Sequence, residues 1–261
     1  MLGQTLNPVA LVTGAASGLG AACAHQLARK ATGGLILVDA AEDGIAKTAD
    51  ALETPPERVS MLPFDITDAE WWTRASEFIT AQYGRLDWAV IGGGAPPASI
   101  VAAAGAKDWL GVASADLRAT AQCLGALTPI MRRNTSGGAV VILSSLIGLK
   151  AEASLAAFAS KADLLELVRR NAAEGAAHGV RVNALAQDAI DATTWQGAPM
   201  FEDLVREKGG ERAALDAIAQ MPAPLARMAA TPDIARIAVM LVTEASPITG
   251  ATLVVDGGYT L

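Results

Sequence analysis

Val9 to Gly20 reads V-A-L-V-T-G-A-A-S-G-L-G. Its first four residues form a short continuous apolar run, the signature of a strand buried on both faces of a parallel sheet. The run stops at Thr13-Gly14, and from Gly18 a helical pattern begins with Leu19, Ala22, Cys23 and Leu27. Strand, glycine turn and helix in that order make a phosphate cradle. Glycine lets backbone come close to a pyrophosphate, and a helix N-terminus offers unpaired N–H groups carrying partial positive charge. Gly14, Ser17, Gly18, Leu19 and Gly20 are the candidate cradle residues. Their spacing is T-G-x-x-x-G-x-G, which differs from the commoner G-x-G-x-x-G.

Working outward, 261 residues of which 52% are hydrophobic can bury one large core or two small ones. Strand and helix signals alternate with no linker, so a single domain over residues 1–261 is expected. A net charge of −7 and the lack of a basic run exclude nucleic acid as a partner. No charged segment followed by an apolar one opens the chain, and no apolar run is long enough to cross a bilayer. The expectation is a cytoplasmic protein with no membrane partner. Cys23 and Cys123 fall among alanines and leucines and read as reduced, buried cysteines. His25 and His178 stand apart with no ligand cluster around either, so neither a metal nor histidine catalysis is expected.

Leu35 to Val38 is a second buried strand ending at Asp39, about 20 residues past the glycine turn, where a carboxylate can accept from the adenosine ribose hydroxyls. The same charge repels a 2′-phosphate, and no Arg or Lys follows directly, which favours NAD(H) over its phosphorylated counterpart. The alternative role for Asp39 is to cap a helix from about Glu42. A third strand, Arg58 to Phe64, leads to Asp65-Ile66, after which Asp68-Ala69-Glu70 opens a helix to about Tyr83. Trp71 and Trp72 on that helix read as packing residues. Leu86 to Ile91 is a fourth strand, followed by Gly92, Gly93 and Gly94. Then come a long helix over about 107–133 and a strand over Ala139 to Leu143 that runs into Ser144-Ser145-Leu146-Ile147-Gly148. The segment Ser154 to Lys161 (S-L-A-A-F-A-S-K) precedes a sixth strand, Gly179 to Ala186. Short helical patterns at 200–208 and 211–220 follow. A helix from Thr231 to Val242 has Thr231 as N-cap and Pro232 as its first residue. The sheet closes with Ile248-Thr249-Gly250 to Val255-Asp256-Gly257-Gly258.

Together these motifs resemble the classical short-chain dehydrogenase/reductase family over essentially the whole chain. The resemblance implies an α/β fold: a Rossmann-like, doubly wound parallel sheet of seven strands with helices on both faces and the cofactor at the carboxyl ends of the strands. It implies that Asp65, with Ile66, meets the adenine. It also brings the backbone at Gly92, Gly93 and Gly94 close to the cofactor, and Ile190 to the nicotinamide carboxamide. Ser145, with Ser144 as the fallback, would hydrogen-bond the substrate oxygen, and Lys161 the nicotinamide ribose. Residues 195–224 would form a substrate lid. The two long helices, around 107–133 and after Ser154, would pack against a neighbouring subunit in a homodimer or homotetramer.

The chain departs from the family at four places. Ile91-Gly92-Gly93-Gly94 stands where N-N-A-G is usual. Aligned from Trp109, the asparagine of the family's proton relay is Asp116. Gln187-Asp188 replaces the Pro-Gly after the sixth strand. The family's Tyr-x-x-x-Lys pair puts a phenol and an ammonium on one helix face, lowering the phenol pKa for proton exchange. Here Lys161 has Ala157 four residues before it, or Phe158 after a one-residue slip, and neither carries an exchangeable proton. The chain's tyrosines, Tyr83 and Tyr259, lie far from this motif. The function implied is an NAD(H)-dependent oxidoreductase acting on an alcohol–carbonyl pair, with its proton from water ordered by Lys161 and Asp116, from a protonated Asp116, or from the lid. The alternative is an NAD(H)-binding pseudoenzyme serving as sensor or structural subunit. No small-molecule substrate can be read from these residues.

Overall fold

The apolar runs of the central strands build the middle of a sheet because each is buried on both faces, while the two edge strands stay partly exposed. In the computed structural model, which describes residues 7–92, 106–145, 155–187, 199–219, 225, 229–244 and 247–258, the strands are β1 (Val9–Thr13), β2 (Gly34–Asp39), β3 (Val59–Pro63), β4 (Trp88–Ile91), β5 (Gly138–Ser145), β6 (Val180–Gln187) and β7 (Thr252–Val255). All pair in parallel in the order β3-β2-β1-β4-β5-β6-β7. The direction of winding reverses between β1 and β4, and a crevice opens there at the carboxyl ends. Every residue of β1 is buried, as a central strand covered by helices on both sides requires.

The helices are α1 (Gly18–Ala28), α2 (Glu42–Asp50), α3 (Ala69–Tyr83), α4 (Ala106–Met131), α5 (Leu155–Ala176), α6 (Pro199–Lys208), α7 (Glu211–Ala219) and α8 (Thr231–Thr243). They divide the core into two layers. Leu11, Ile36 and Ile142 pack with α3, α4 and α5 on one face of the sheet. Val12, Leu37 and Leu185 pack with α1, α2 and α8 on the other. Successive side chains along a strand point to opposite faces, so each strand feeds both layers. Cys23 and Cys123 are buried in α1 and α4. Among the described residues, no helix is long and apolar enough to cross a membrane.

The strand and helix boundaries follow the sequence within a few residues, with one correction at α8. The extended residue that caps it is Ala230 (φ −76°, ψ 143°), so Thr231 is already helical and Pro232 comes second. Pro232 still lies in the first turn, where a missing N–H leaves no helical bond unmade. At the amino ends of the strands, buried Asp87 accepts from Val9 N at 2.9 Å and from two nitrogens of Arg85. That hydrogen-bonded carboxylate pushes the Arg85 pKa above its ordinary value. Arg181 donates to the carbonyls of Val242, Glu244 and Ile248, closing the C-terminus of α8, while burial pulls its own pKa down.

Candidate active site

The glycine loop after β1 is tied down before any ligand arrives. Gly14 turns the chain with φ +66°, a left-handed conformation that costs glycine nothing. Ala15 N then donates to Val38 O at 3.2 Å, Ala16 N to Asp39 Oδ2 at 3.1 Å, and the Thr48 hydroxyl to Ala15 O at 2.8 Å. Ser17 is extended and exposed at the N-cap of α1, with no side-chain capping bond, so the first N–H groups of α1 have no acceptor from the cap. A Cβ on Gly20 would lie 2.0 Å from Gly14 O. At Gly18, with φ +54°, a Cβ would meet nothing within 4 Å. A tight turn beneath and open space above, at a helix N-terminus, fit a pyrophosphate.

Asp39 joins this loop to the next helix. Its Oδ1 accepts from Ala41 N at 3.0 Å while Oδ2 holds Ala16 N. The cap position of α2 belongs to Ala41, so Asp39 buttresses the loop and does not cap the helix itself. A carboxylate oxygen can accept more than one hydrogen bond, which leaves capacity for ribose hydroxyls. At the end of β3, exposed Asp65 accepts from both the N–H and the hydroxyl of Thr67 at 2.8 Å. The capping work falls to Asp68, which accepts from Glu70 N and Trp71 N. Ile66 is buried, and its carbonyl accepts from the Trp72 indole at 2.8 Å. Trp72 packs in the core as expected. Trp71 lies on the surface, stacked on Phe64 with Arg74 over its ring.

Thr13 is the residue that sequence reasoning misses. Its hydroxyl donates to Gly92 O at 2.5 Å and accepts from Gly92 N at 2.9 Å. It thereby braces the end of β4 against β1, where the family's asparagines are absent. A Cβ on Gly92 would lie 2.8 Å from Leu143 Cδ1, the end of a flexible side chain that can shift to make room. One strand further, Ser145 ends β5 in register with Gln187 at the end of β6, and Ser144 is buried.

Among the described residues, three buried side-chain atoms have no hydrogen-bond partner: Arg132 Nε, Thr243 Oγ1 and Gln187 Oε1. The first two lie at the C-terminal ends of α4 and α8, at the opposite end of the sheet. Only Gln187 stands at the carboxyl ends, beside the candidate site. A cleft of about 400 Å³ is lined by α3 and α4 with Arg133; it lies on the flank of the sheet, apart from the cradle.

The remaining predicted residues are placed by their elements alone. Asp116 lies in α4. Ala157 and Phe158 are in the first turn of α5, and Lys161 follows on the same helix. The side chains of Asp116, Ser145, Ala157, Phe158 and Lys161 lie outside the described residues. So do Gly93, Gly94, Ile190, Tyr259 and parts of 195–224. Within that segment, α6 and α7 occupy the two helical patterns read from the sequence.

A family model described as enoyl-(acyl carrier protein) reductase matches residues 14–260. An A-factor type γ-butyrolactone 1′-reductase (1S-forming) from Streptomyces virginiae is 32% identical over 266 residues, covering 99% of this chain and 98% of its own. A cis-4-hydroxycyclohexanecarboxylate dehydrogenase from Sinomonas cyclohexanicum is 32% identical over 258 residues, covering 97% and 96%. Among solved structures, a carveol dehydrogenase from Mycobacterium avium in complex with NAD superposes with a TM-score of 0.82 at 25% identity, covering 98% of this chain and 99% of that one.

Proposed function

Because the chain belongs to the short-chain dehydrogenase/reductase family, we propose that it is an NAD(H)-dependent oxidoreductase that interconverts an alcohol and a carbonyl using a proton donor other than the family's tyrosine. The observation that carries the cofactor half is the tied cradle. Asp39 holds the glycine loop by Ala16 N and sets a negative charge beside it, a site that suits ribose hydroxyls and opposes a 2′-phosphate. The named relatives, a reductase and a dehydrogenase, and a carveol dehydrogenase holding NAD, support the same reaction class.

When bound, the nicotinamide supplies the two-electron exchange; the chain's own residues supply position and protons. Gly14, Ser17, Gly18, Leu19 and Gly20 hold the pyrophosphate, with Asp39 on the adenosine ribose, Asp65 and Ile66 at the adenine, and the backbone of Gly92, Gly93, Gly94 and Ile190 along the nicotinamide half. Ser145 hydrogen-bonds the substrate oxygen, and Lys161 the nicotinamide ribose. The proton comes from Asp116, from water held between Asp116 and Lys161, or from the lid at 195–224. The long helices α4 and α5 form the contact of a homo-oligomer. A missing positioned acid costs about 10²–10⁴-fold in rate, which a slow enzyme tolerates.

The test is NAD(H)-coupled turnover over a panel of alcohols and ketones, with the wild type and Ala157→Tyr side by side. The expected result is slow wild-type turnover that rises in the variant. A wild type that binds NADH but turns over nothing on the whole panel, while Ala157→Tyr turns over, refutes the enzyme and leaves the NAD(H)-binding sensor or structural subunit.

A further inference from the structure

Gln187 Oε1 is a buried acceptor without a donor at the carboxyl end of β6. Buried acceptors are ordinarily paired, so an orphan at a ligand crevice marks a place where a ligand brings the donor. The register puts Gln187 beside Ser145 on one side and Val255 on the other. It is also where the chain departs from the family's proline, a residue whose side chain can make no hydrogen bond.

The sheet decides from which side the donor comes. Along β6, Val182 and Ala184 pack with α4 and α5, whereas Leu185 packs with α1 and α8. Alternation then sends Gln187 to the α1 face. The cradle at the start of α1 opens on that face, while Asp116, Ala157, Phe158 and Lys161 belong to helices on the opposite one. β6 lies three strands from β1, about 14 Å at the usual strand spacing. A dinucleotide anchored by Asp39 at β2 and by the loop after β1 therefore runs toward Gln187 with its nicotinamide half.

Resting on the cofactor reading above, we propose that Gln187 is a nicotinamide-recognising residue whose Oε1 accepts a hydrogen bond from the carboxamide N–H of the bound cofactor. The chain thereby replaces an inert proline by a side-chain amide that reads the carboxamide directly. Gln187 is a binding and positioning group; an amide of this kind exchanges no proton with substrate.

The experiment compares dissociation constants for NADH, for ADP-ribose, which lacks the nicotinamide, and for reduced 3-acetylpyridine adenine dinucleotide, whose acetyl group has no N–H donor. Each is measured with wild type and with Gln187→Met, which keeps length and removes the amide. Wild type binds NADH about tenfold more tightly than the acetylpyridine analogue, the ratio expected for one neutral hydrogen bond. Gln187→Met loses that advantage, with ADP-ribose affinity held within about twofold. Gln187→Glu, which keeps an acceptor, recovers part of the preference for NADH. Equal weakening of NADH and ADP-ribose would make Gln187 structural and overturn the proposal. So would an unchanged preference for NADH over the analogue in Gln187→Met. Should Gln187→Met fail to fold, equal wild-type affinities for NADH and the analogue still overturn it. A wild type that binds neither NADH nor ADP-ribose removes the cofactor reading itself, a result distinct from either of these.

Discussion

Gly20→Ala sets helix propensity against close packing, and the two disagree in sign. Gly20 is the third residue of α1, and its φ is not in the left-handed range, so alanine suits its backbone. Propensity alone predicts that alanine stabilises the helix by about 1 kcal/mol. The structure predicts the opposite. A Cβ would sit 2.0 Å from Gly14 O, 2.6 Å from Gly14 C and 3.1 Å from Thr13 O, where ordinary contact begins at 3.4 Å. The start of α1 and the turn must therefore separate by about 1.4 Å. The turn cannot yield cheaply, because Val38 O, Asp39 and Thr48 each hold it. Overpacking against fixed backbone costs up to about 3 kcal/mol, for a net loss of about 2 kcal/mol after the propensity gain. In a chain of this length that lowers Tm by about 4 °C. The displaced N–H groups also lose their aim at the pyrophosphate, so ADP-ribose affinity falls about tenfold or more. Thermal unfolding and ADP-ribose titration of the same variant test both halves. A Gly20→Ala protein as stable as wild type, with unchanged ADP-ribose affinity, would refute the cradle as drawn.

Three further outcomes follow from the same geometry. Asp39→Asn keeps the side-chain volume and removes the charge; against a doubly charged 2′-phosphate about 5 Å away in water that charge is worth about 2 kcal/mol, so the NADPH-to-NADH affinity ratio rises on the order of 20-fold, and an unchanged ratio defeats the assignment. Thr13→Val leaves both the N–H and the carbonyl of Gly92 without the hydroxyl that serves them, which costs about 2–3 kcal/mol in denaturant unfolding; a loss below about 0.5 kcal/mol means the brace is idle. Burial pushes the Cys23 thiol up to about 12, so above the ordinary thiol pKa of about 8.5 the unfolded chain releases a proton that the native one keeps. Stability then falls with rising pH by up to about 1.4 kcal/mol per unit; Cys23→Ala flattens that slope, and identical slopes in the two proteins contradict the burial argument.

The sheet is legible in the sequence because its signal is local. Val9–Val12 and Leu35–Val38 are unbroken apolar runs between turn residues, and such runs are buried wherever they fold. Asp39 is legible for a similar reason: a strand of known length delivers its last residue to the crevice. The cap of α8 shows the limit of local reading, since residue type favours Thr231 and the dihedral angles nonetheless put the cap at Ala230. Contacts made by register are not legible at all. Thr13 and Gly92 are 79 positions apart in the chain, and the glycines at 92–94 by themselves look like a plain loss of side chains. The sequence marks Gln187 only as a departure from the family's proline; its unpaired acceptor and the face that alternation selects come from the structure.

These two residues change the meaning of the departures from the family. Taken from the sequence, the missing asparagines, the missing Pro-Gly and the missing tyrosine all point one way, toward an eroded site. In the structure the first is answered by the Thr13 hydroxyl, which braces β4 against β1. The second becomes an amide with an unspent acceptor at the carboxyl end of β6. A buried acceptor without a protein donor is costly, and a donor brought by a ligand would relieve that cost. On the proposed reading the cofactor side is kept, and the loss of chemistry narrows to the first turn of α5. There Ala157, or Phe158 after a one-residue slip, would take the place of the family's tyrosine, and neither residue type can exchange a proton. Whether the chain is a slow oxidoreductase or a holder of NAD(H) turns on that single helical turn and on what Asp116 and Lys161 supply beside it.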